Sequence, residues 1–183
     1  MKVSRADVER NRKLILAAAA RLFRERGFDG VNVSQIMKEA GLTHGAFYGY
    51  FASKEMLIGQ VLDSILSPQV GAPNEIPEDF EVYASAYLSV KHRDDPAGGC
   101  PYAALGSELV RAPKSVRKLL TKAIARRIET LSASTAGKTT ERRRRAAIAG
   151  WSSMIGAVTL SRIVDDPKLS NEILKSARAS IKD

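Results

Sequence analysis

Residues 34–51 read Ser34-Gln-Ile-Met-Lys-Glu-Ala-Gly41, then Leu42, then Thr43-His-Gly-Ala-Phe-Tyr-Gly-Tyr-Phe51. Ser34 is a candidate cap for a short helix whose first apolar residues are Ile36 and Met37. Gly41 stops that helix, because glycine accepts the backbone conformation that ends one. Thr43 is a candidate cap for another helix, with Phe47 and Phe51 four residues apart on one side. Two short helices joined by a tight glycine turn form a helix-turn-helix. Ile36, Ala40, Leu42, Phe47 and Phe51 then face inward, which leaves Thr43, His44, Gly45, Tyr48, Gly49 and Tyr50 outside. That outer face is small and polar enough to enter a DNA major groove, where base edges are distinguishable. Tyrosine hydroxyls and a helix start also suit phosphate oxygens.

Working outward, the residues before the motif form a longer helix. Leu14, Ile15, Ala18, Ala19, Leu22 and Phe23 recur at helical spacing between about residues 5 and 26, and Gly27 ends the run. After the motif, Ser53 is placed to cap a helix carrying Leu57, Val61, Leu62, Ile65 and Leu66. Ser67 to Asp79 holds Pro68, Gly71, Pro73 and Pro77 and reads as a linker. A fifth helix follows, marked by Phe80, Tyr83, Ala84, Tyr87 and Leu88 and ending near His92. A sixth spans Pro101 to about Arg111, and a seventh starts near Pro113. An eighth covers Glu141 to about Val164. The ninth follows Asp166-Pro167, with proline at its first position. No segment alternates with period two for long, so the expected fold class is all-α with about nine helices.

The 183 residues allow one domain or two small ones, with a core that needs neither disulfides nor metal. Lys and Arg total 29 against 20 Asp and Glu, a net charge of +9 that calls for a polyanionic partner. The charge is uneven: net +4 over residues 1–55, −5 over 56–95 and +10 over 96–183. Two basic blocks therefore flank an acidic one, unlike a disordered basic tail. The longest apolar run, Leu14 to Ala20, is seven residues, too short to cross a membrane. The N-terminal residues do not read as a secretion signal, which points to the cytoplasm. A single cysteine excludes an internal disulfide and a cysteine-only metal cluster.

The helix-turn-helix region resembles the TetR family of bacterial transcriptional regulators. The matching residues are Ile15-Leu-Ala-Ala-Ala-Ala-Arg-Leu-Phe23, Gly27-Phe28, Val33 to Ile36, Ala40 to Phe51 and Ser53-Lys-Glu-Met-Leu57. The resemblance covers about the first third of the chain. It implies a helix-turn-helix domain over residues 1–52 and a helical effector-binding and dimerisation domain over 53–183. It also implies a homodimer on a palindromic double-stranded operator, released when a small-molecule effector fills the C-terminal domain. Repression is the expected outcome. Gly49 departs from the aromatic found there in many members. The DNA-binding candidates are Ser34, Thr43, His44, Gly45, Tyr48, Gly49, Tyr50 and Lys54. Of these, Ser34, Tyr50 and Lys54 would hold the backbone.

Beyond the motif the resemblance lies only in the helical layout, so pocket candidates rest on residue type. Tyr83, Tyr87, Cys100, Tyr102, Leu105, Ile124, Trp151 and Met154 offer apolar walls with a few polar groups, and core packing is the competing reading for each. Trp151, Met154, Ile155 and Val158 sit among Gly150, Gly156 and Ala157, a pattern that fits either core or a subunit interface. Gly98-Gly99-Cys100-Pro101 puts a thiol at a helix start, which favours thiolate, while Asp94 and Asp95 oppose it. It reads either as a reactive thiol or as a small buried residue.

Catalysis finds no support in the residues. His44 and His92 lack the partners of a triad or a metal site. Ala136-Gly-Lys-Thr-Thr140 has the end of a phosphate loop, but Ser132 stands where the motif needs its first glycine. No enzyme, cofactor or metal is expected. Arg142 to Arg145 opens a helix, where cations oppose the dipole. A solvated end, pairing with the acidic segment and contact with DNA remain open for it. The alternative function is a small-molecule binding or carrier protein whose basic surface serves only solubility.

Overall fold

The computed structural model describes residues 4–66 and 79–182, and every regular element among them is a helix. Nine α-helices and one 3-10 helix occur there. They are α1 (Arg5–Arg26), α2 (Val33–Glu39), the 3-10 helix (His44–Gly49), α3 (Lys54–Leu66) and α4 (Phe80–Tyr87). Then come α5 (Val90–Asp94), α6 (Pro101–Leu109), α7 (Lys114–Ala133), α8 (Thr140–Ile163) and α9 (Pro167–Lys182). None of these helices is long and apolar enough to cross a membrane. The expected linker falls, up to residue 78, outside the described residues.

Three apolar clusters organise the molecule. The first gathers Ile15, Ala19, Phe23, Ile36, Phe47 and Phe51 with Leu57 and Val61. It is the core of the N-terminal helices, and each large side chain fully buried there contributes about 1.5–3 kcal/mol. The second surrounds α8, with Phe80, Tyr87, Cys100, Leu131, Trp151, Met154 and Leu174. Between them lies a third, of Leu62, Leu105, Leu109 and Leu120. Helix α3 thus gives Leu57 and Val61 to the first core and Leu62 to the third, which ties the two halves together.

Local chemistry explains the helix ends. Ser4 caps α1, its hydroxyl accepting the Asp7 amide at 3.1 Å. Ser53 caps α3 through the Met56 amide at 3.2 Å. The Asp166 carboxylate accepts the Lys168 amide at 2.8 Å, beside Pro167. Two expectations are corrected. Ser34 does not cap α2; Asn32 does, in a reciprocal box with Gln35 at 2.9 and 2.8 Å. The expected fifth helix breaks after Leu88, because the Ser89 hydroxyl caps a new short helix through the His92 amide at 3.1 Å. His92 therefore lies on α5.

Candidate nucleic-acid interface and ligand core

The N-terminal site is built on the first core. Phe47 is fully buried, stacked on Phe51 with ring centroids 5.8 Å apart. That pair anchors the 3-10 helix, whose opposite side then points outward. The second helix of the motif is accordingly tighter than an α-helix. Thr43, at its start, makes no side-chain cap bond. Tyr48 is 67% exposed, although its ring edge rests on Phe47 at 5.3 Å. Ser34, Thr43, His44, Gly45 and Gly49 are also exposed, and Lys54 is half-buried. Ser34 Oγ and His44 Nδ1 are hydrogen bonded at 2.9 Å, so α2 and the 3-10 helix are pinned side by side.

Tyr50 is placed differently. It is half-buried, and its hydroxyl accepts from Asn11 Nδ2 at 3.0 Å. Arg12 reaches the Tyr50 carbonyl at 3.4 Å, lies over the Phe51 ring at 4.9 Å and bonds Gln60. Arg21 on α1 pairs with Glu39 on α2. These contacts fix the motif against α1. The sequence gives no signal for the long-range bond between Asn11 and Tyr50.

The C-terminal candidates gather around Cys100, with one exception. Tyr87, Cys100, Trp151 and Met154 are buried in the cluster around α8, and Tyr83, Tyr102 and Ile124 pack against it. Leu105 instead belongs to the cluster between the halves. Tyr83 and Tyr87 lie with centroids 5.8 Å apart, and Tyr102 meets Trp151 edge-on at 5.3 Å. Burial pushes the Tyr83 and Tyr102 hydroxyls up to about 12, and drives Tyr87 further still. All three phenols therefore stay neutral. Trp151 is core within its own chain, 5% exposed. Gly150 is small for a reason inside the chain: a Cβ there would meet the Phe80 ring at 2.8 Å.

Cys100 is 8% exposed and precedes Pro101 at the start of α6. Its backbone N–H donates to His92 Nε2 at 3.1 Å, while His92 Nδ1 lies 2.7 Å from the Tyr87 carbonyl. Nε2 must accept there, so the proton sits on Nδ1 and the ring is neutral. Burial holds the His92 pKa below its usual value. The ring thus staples the end of α4 to the start of α6. Gly99 permits this, because a Cβ there would sit 2.8 Å from His92 Nε2.

Arg142 to Arg145 open α8 behind the Thr139 hydroxyl, which accepts the Arg142 amide at 3.2 Å. Arg145 pairs with Glu141 at 3.4 Å, and Arg143 is half-buried and reaches the Gly137 carbonyl at 3.4 Å. Thr139 thus supplies a helix cap, in the segment that resembled the end of a phosphate loop.

The family model described as "Bacterial regulatory proteins, tetR family" matches residues 15–61, the segment that holds α2, the 3-10 helix and most of α3. The uncharacterized HTH-type transcriptional regulator YdgC of Bacillus subtilis is 46% identical over 52 residues, 28% of this chain and 27% of that protein. The match thus spans about a quarter of that relative's length. Among solved structures, a TetR transcriptional regulator from Chloroflexus aurantiacus superposes with a TM-score of 0.71 at 23% identity, covering 97% of both chains. A TetR-family regulator from Cytophaga hutchinsonii gives 0.70 at 22% identity, covering 100% of this chain and 97% of that one. These two superpositions show a shared fold over the full length.

Proposed function

We infer that this chain, a member of the TetR family of bacterial regulatory proteins, is a DNA-binding transcriptional regulator rather than an enzyme. It acts as a repressor that a small-molecule effector releases from its operator, and it works in the cytoplasm. The observation that carries this reading is the outward face of the 3-10 helix. Thr43, His44 and the exposed ring of Tyr48 project from a helix pinned to α2 within the matched segment. Residues 1–52 form the reading head, with Ser34 and Lys54 on the phosphate backbone beside it. In this reading Tyr50 steadies the head through Asn11 and is not a base contact. Residues 53–183 hold the effector and the dimer contact.

A single short helix covers few bases, so two copies bind half-sites about one helical turn apart or a multiple of it. The homodimer forms mainly through α8 and α9. Ile148, Leu160 and Ile163 on α8 and Leu169 on α9 are exposed large apolar residues that support this choice. The effector occupies the aromatic core around Cys100, lined by Tyr83, Tyr87, Tyr102, Ile124, Trp151 and Met154.

Retardation of duplex DNA in a gel at rising salt tests the reading against a carrier protein without a DNA role. The regulator shifts duplex DNA at low salt and loses affinity steeply as salt rises. A protein that leaves DNA unshifted at low salt is not this regulator.

A further inference from the structure

Ser34 and His44 meet on the outer side of the motif. The Ser34 hydroxyl and His44 Nδ1 are hydrogen bonded at 2.9 Å, and both residues are exposed. Among the described residues, neither side chain has another hydrogen-bond partner. The pair is held from both ends. Asn32 and Gln35 fix the start of α2 in their reciprocal box, and the stacked Phe47 and Phe51 anchor the 3-10 helix. With Nδ1 engaged, His44 Nε2 is turned away from Ser34. It is the ring atom left for a base edge.

A serine hydroxyl carries one hydrogen and can also accept, while a neutral imidazole has one N–H and one acceptor nitrogen. A phosphate oxygen only accepts. When Ser34 sits on the DNA backbone, as in the proposed regulator, its single hydrogen goes to the phosphate, the stronger, charge-assisted partner. Ser34 Oγ must then accept from His44, which puts the imidazole proton on Nδ1. Nε2 is left as a bare acceptor. In the major groove only adenine, through N6, and cytosine, through N4, present a donor. Guanine and thymine present only acceptors there.

We propose that Ser34, bound to a phosphate, sets the tautomer of His44 and makes its Nε2 recognise an exocyclic amino group of the operator, adenine N6 or cytosine N4. Ser34 is then a positioning residue for specificity as well as a backbone contact. The reverse arrangement has Ser34 donating to Nδ1. Nε2 then carries the proton and needs an acceptor, such as a purine N7 or guanine O6, and Ser34 has no hydrogen for phosphate. The two arrangements exclude each other, so the base atom that His44 needs tells which one forms on DNA. This inference rests on the DNA-binding reading and specifies the base chemistry of that site.

Duplexes selected by the wild-type protein from a randomised pool supply the probe, and the base pair whose preference vanishes in His44→Ala is the one His44 contacts. Single atoms of that pair are then deleted. Unsubstituted purine replaces adenine, or pyrimidinone replaces cytosine, to remove the amino group. Deazapurines without N7, and guanine or thymine analogues without their major-groove carbonyl, remove acceptors. Binding is measured at about pH 8, above the ordinary histidine range. Amino deletion weakens wild type about tenfold more than it weakens His44→Ala, and acceptor deletion weakens both alike. In Ser34→Ala that extra loss falls below about threefold, while Ser34→Thr keeps the hydroxyl and the full loss. Extra loss on acceptor deletion, a full amino penalty in Ser34→Ala, or no base pair sensitive to His44→Ala overturns the proposal and leaves the DNA-binding reading standing. Selection of no sequence by wild type overturns both.

Discussion

Glu108, near the end of α6, accepts the backbone N–H of Phe28 at 2.8 Å, just past the end of α1. The residue between is Gly27, at φ 75°, and a Cβ there would lie 2.3 Å from Glu108 Oε1. A second tether runs beside it: Arg24 Nε on α1 donates to the Ala97 carbonyl at 2.6 Å, in the loop before Cys100. Helix α6 therefore touches the aromatic cluster around Cys100 at its start and the N-terminal helices at its end.

Breaking the Glu108 tether separates binding from response. Glu108→Ala leaves a part-buried amide without its acceptor, a loss of about 1–3 kcal/mol. It lowers the melting temperature, while effector still binds but releases DNA less well. Gly27→Ala destabilises by more than about 1 kcal/mol, since alanine resists positive φ and its methyl meets the carboxylate. Thermal melts and DNA release titrations read both. Unchanged coupling in Glu108→Ala places the path elsewhere.

Contacts with bases and with phosphates separate by salt. Lys54→Ala weakens all duplexes alike and lowers the salt slope by about one unit. His44→Ala lowers specific affinity by about 1–3 kcal/mol and leaves random DNA nearly unaffected. Competition binding at several salt concentrations checks both, and equal effects on operator and random DNA reassign His44 to the backbone.

Assembly depends on the apolar residues left outside. Ile163 is 71% exposed at the end of α8. Ile163→Glu puts a charge into the proposed α8–α9 contact and yields monomers by light scattering at micromolar concentration. Wild type runs as a dimer. A dimeric variant moves the contact to another face.

The His92 staple makes stability depend on pH. Burial depresses its folded pKa, while the unfolded value is about 6.5. Below about pH 6.5 the unfolded chain takes up a proton that the folded ring refuses, so stability falls as pH drops through that range. Denaturant midpoints at pH 7.5 and 5.5 measure the loss. His92→Gln, which cannot titrate, is less stable at pH 7.5 and loses less between the two. An equal loss in both proteins assigns the dependence to other groups.

The sequence read well where periodicity and turn chemistry act locally. The stripe of α1, the glycine stop at Gly41, the Ser53 cap and the Asp166-Pro167 start need only near neighbours. Ser34 against Asn32 shows the limit: both suit a helix cap, and Gln35, three residues beyond Asn32, decides it by bonding back. The break after Leu88 was hidden because Val90 to Asp94 continue a helical pattern, and Ser89 reads equally well inside a helix. Tyr50, His92 and Glu108 take partners 39, 8 and 80 residues away along the chain, and no local pattern encodes those. Gly98 and Gly99 also have a use that only the folded chain shows. That use is the close approach of His92 and Asp95 to the loop.

In the proposed regulator the 3-10 helix reads a specific sequence through Tyr48. The direct measurement is fluorescence anisotropy of a labelled duplex taken from just upstream of the protein's own coding region. It is titrated with wild type and Tyr48→Ala, with random duplex as competitor. Tight, salt-dependent binding by wild type is expected, with a loss of about 1–3 kcal/mol in Tyr48→Ala on that duplex alone. Specific binding by wild type with unchanged affinity in Tyr48→Ala would contradict that role for Tyr48.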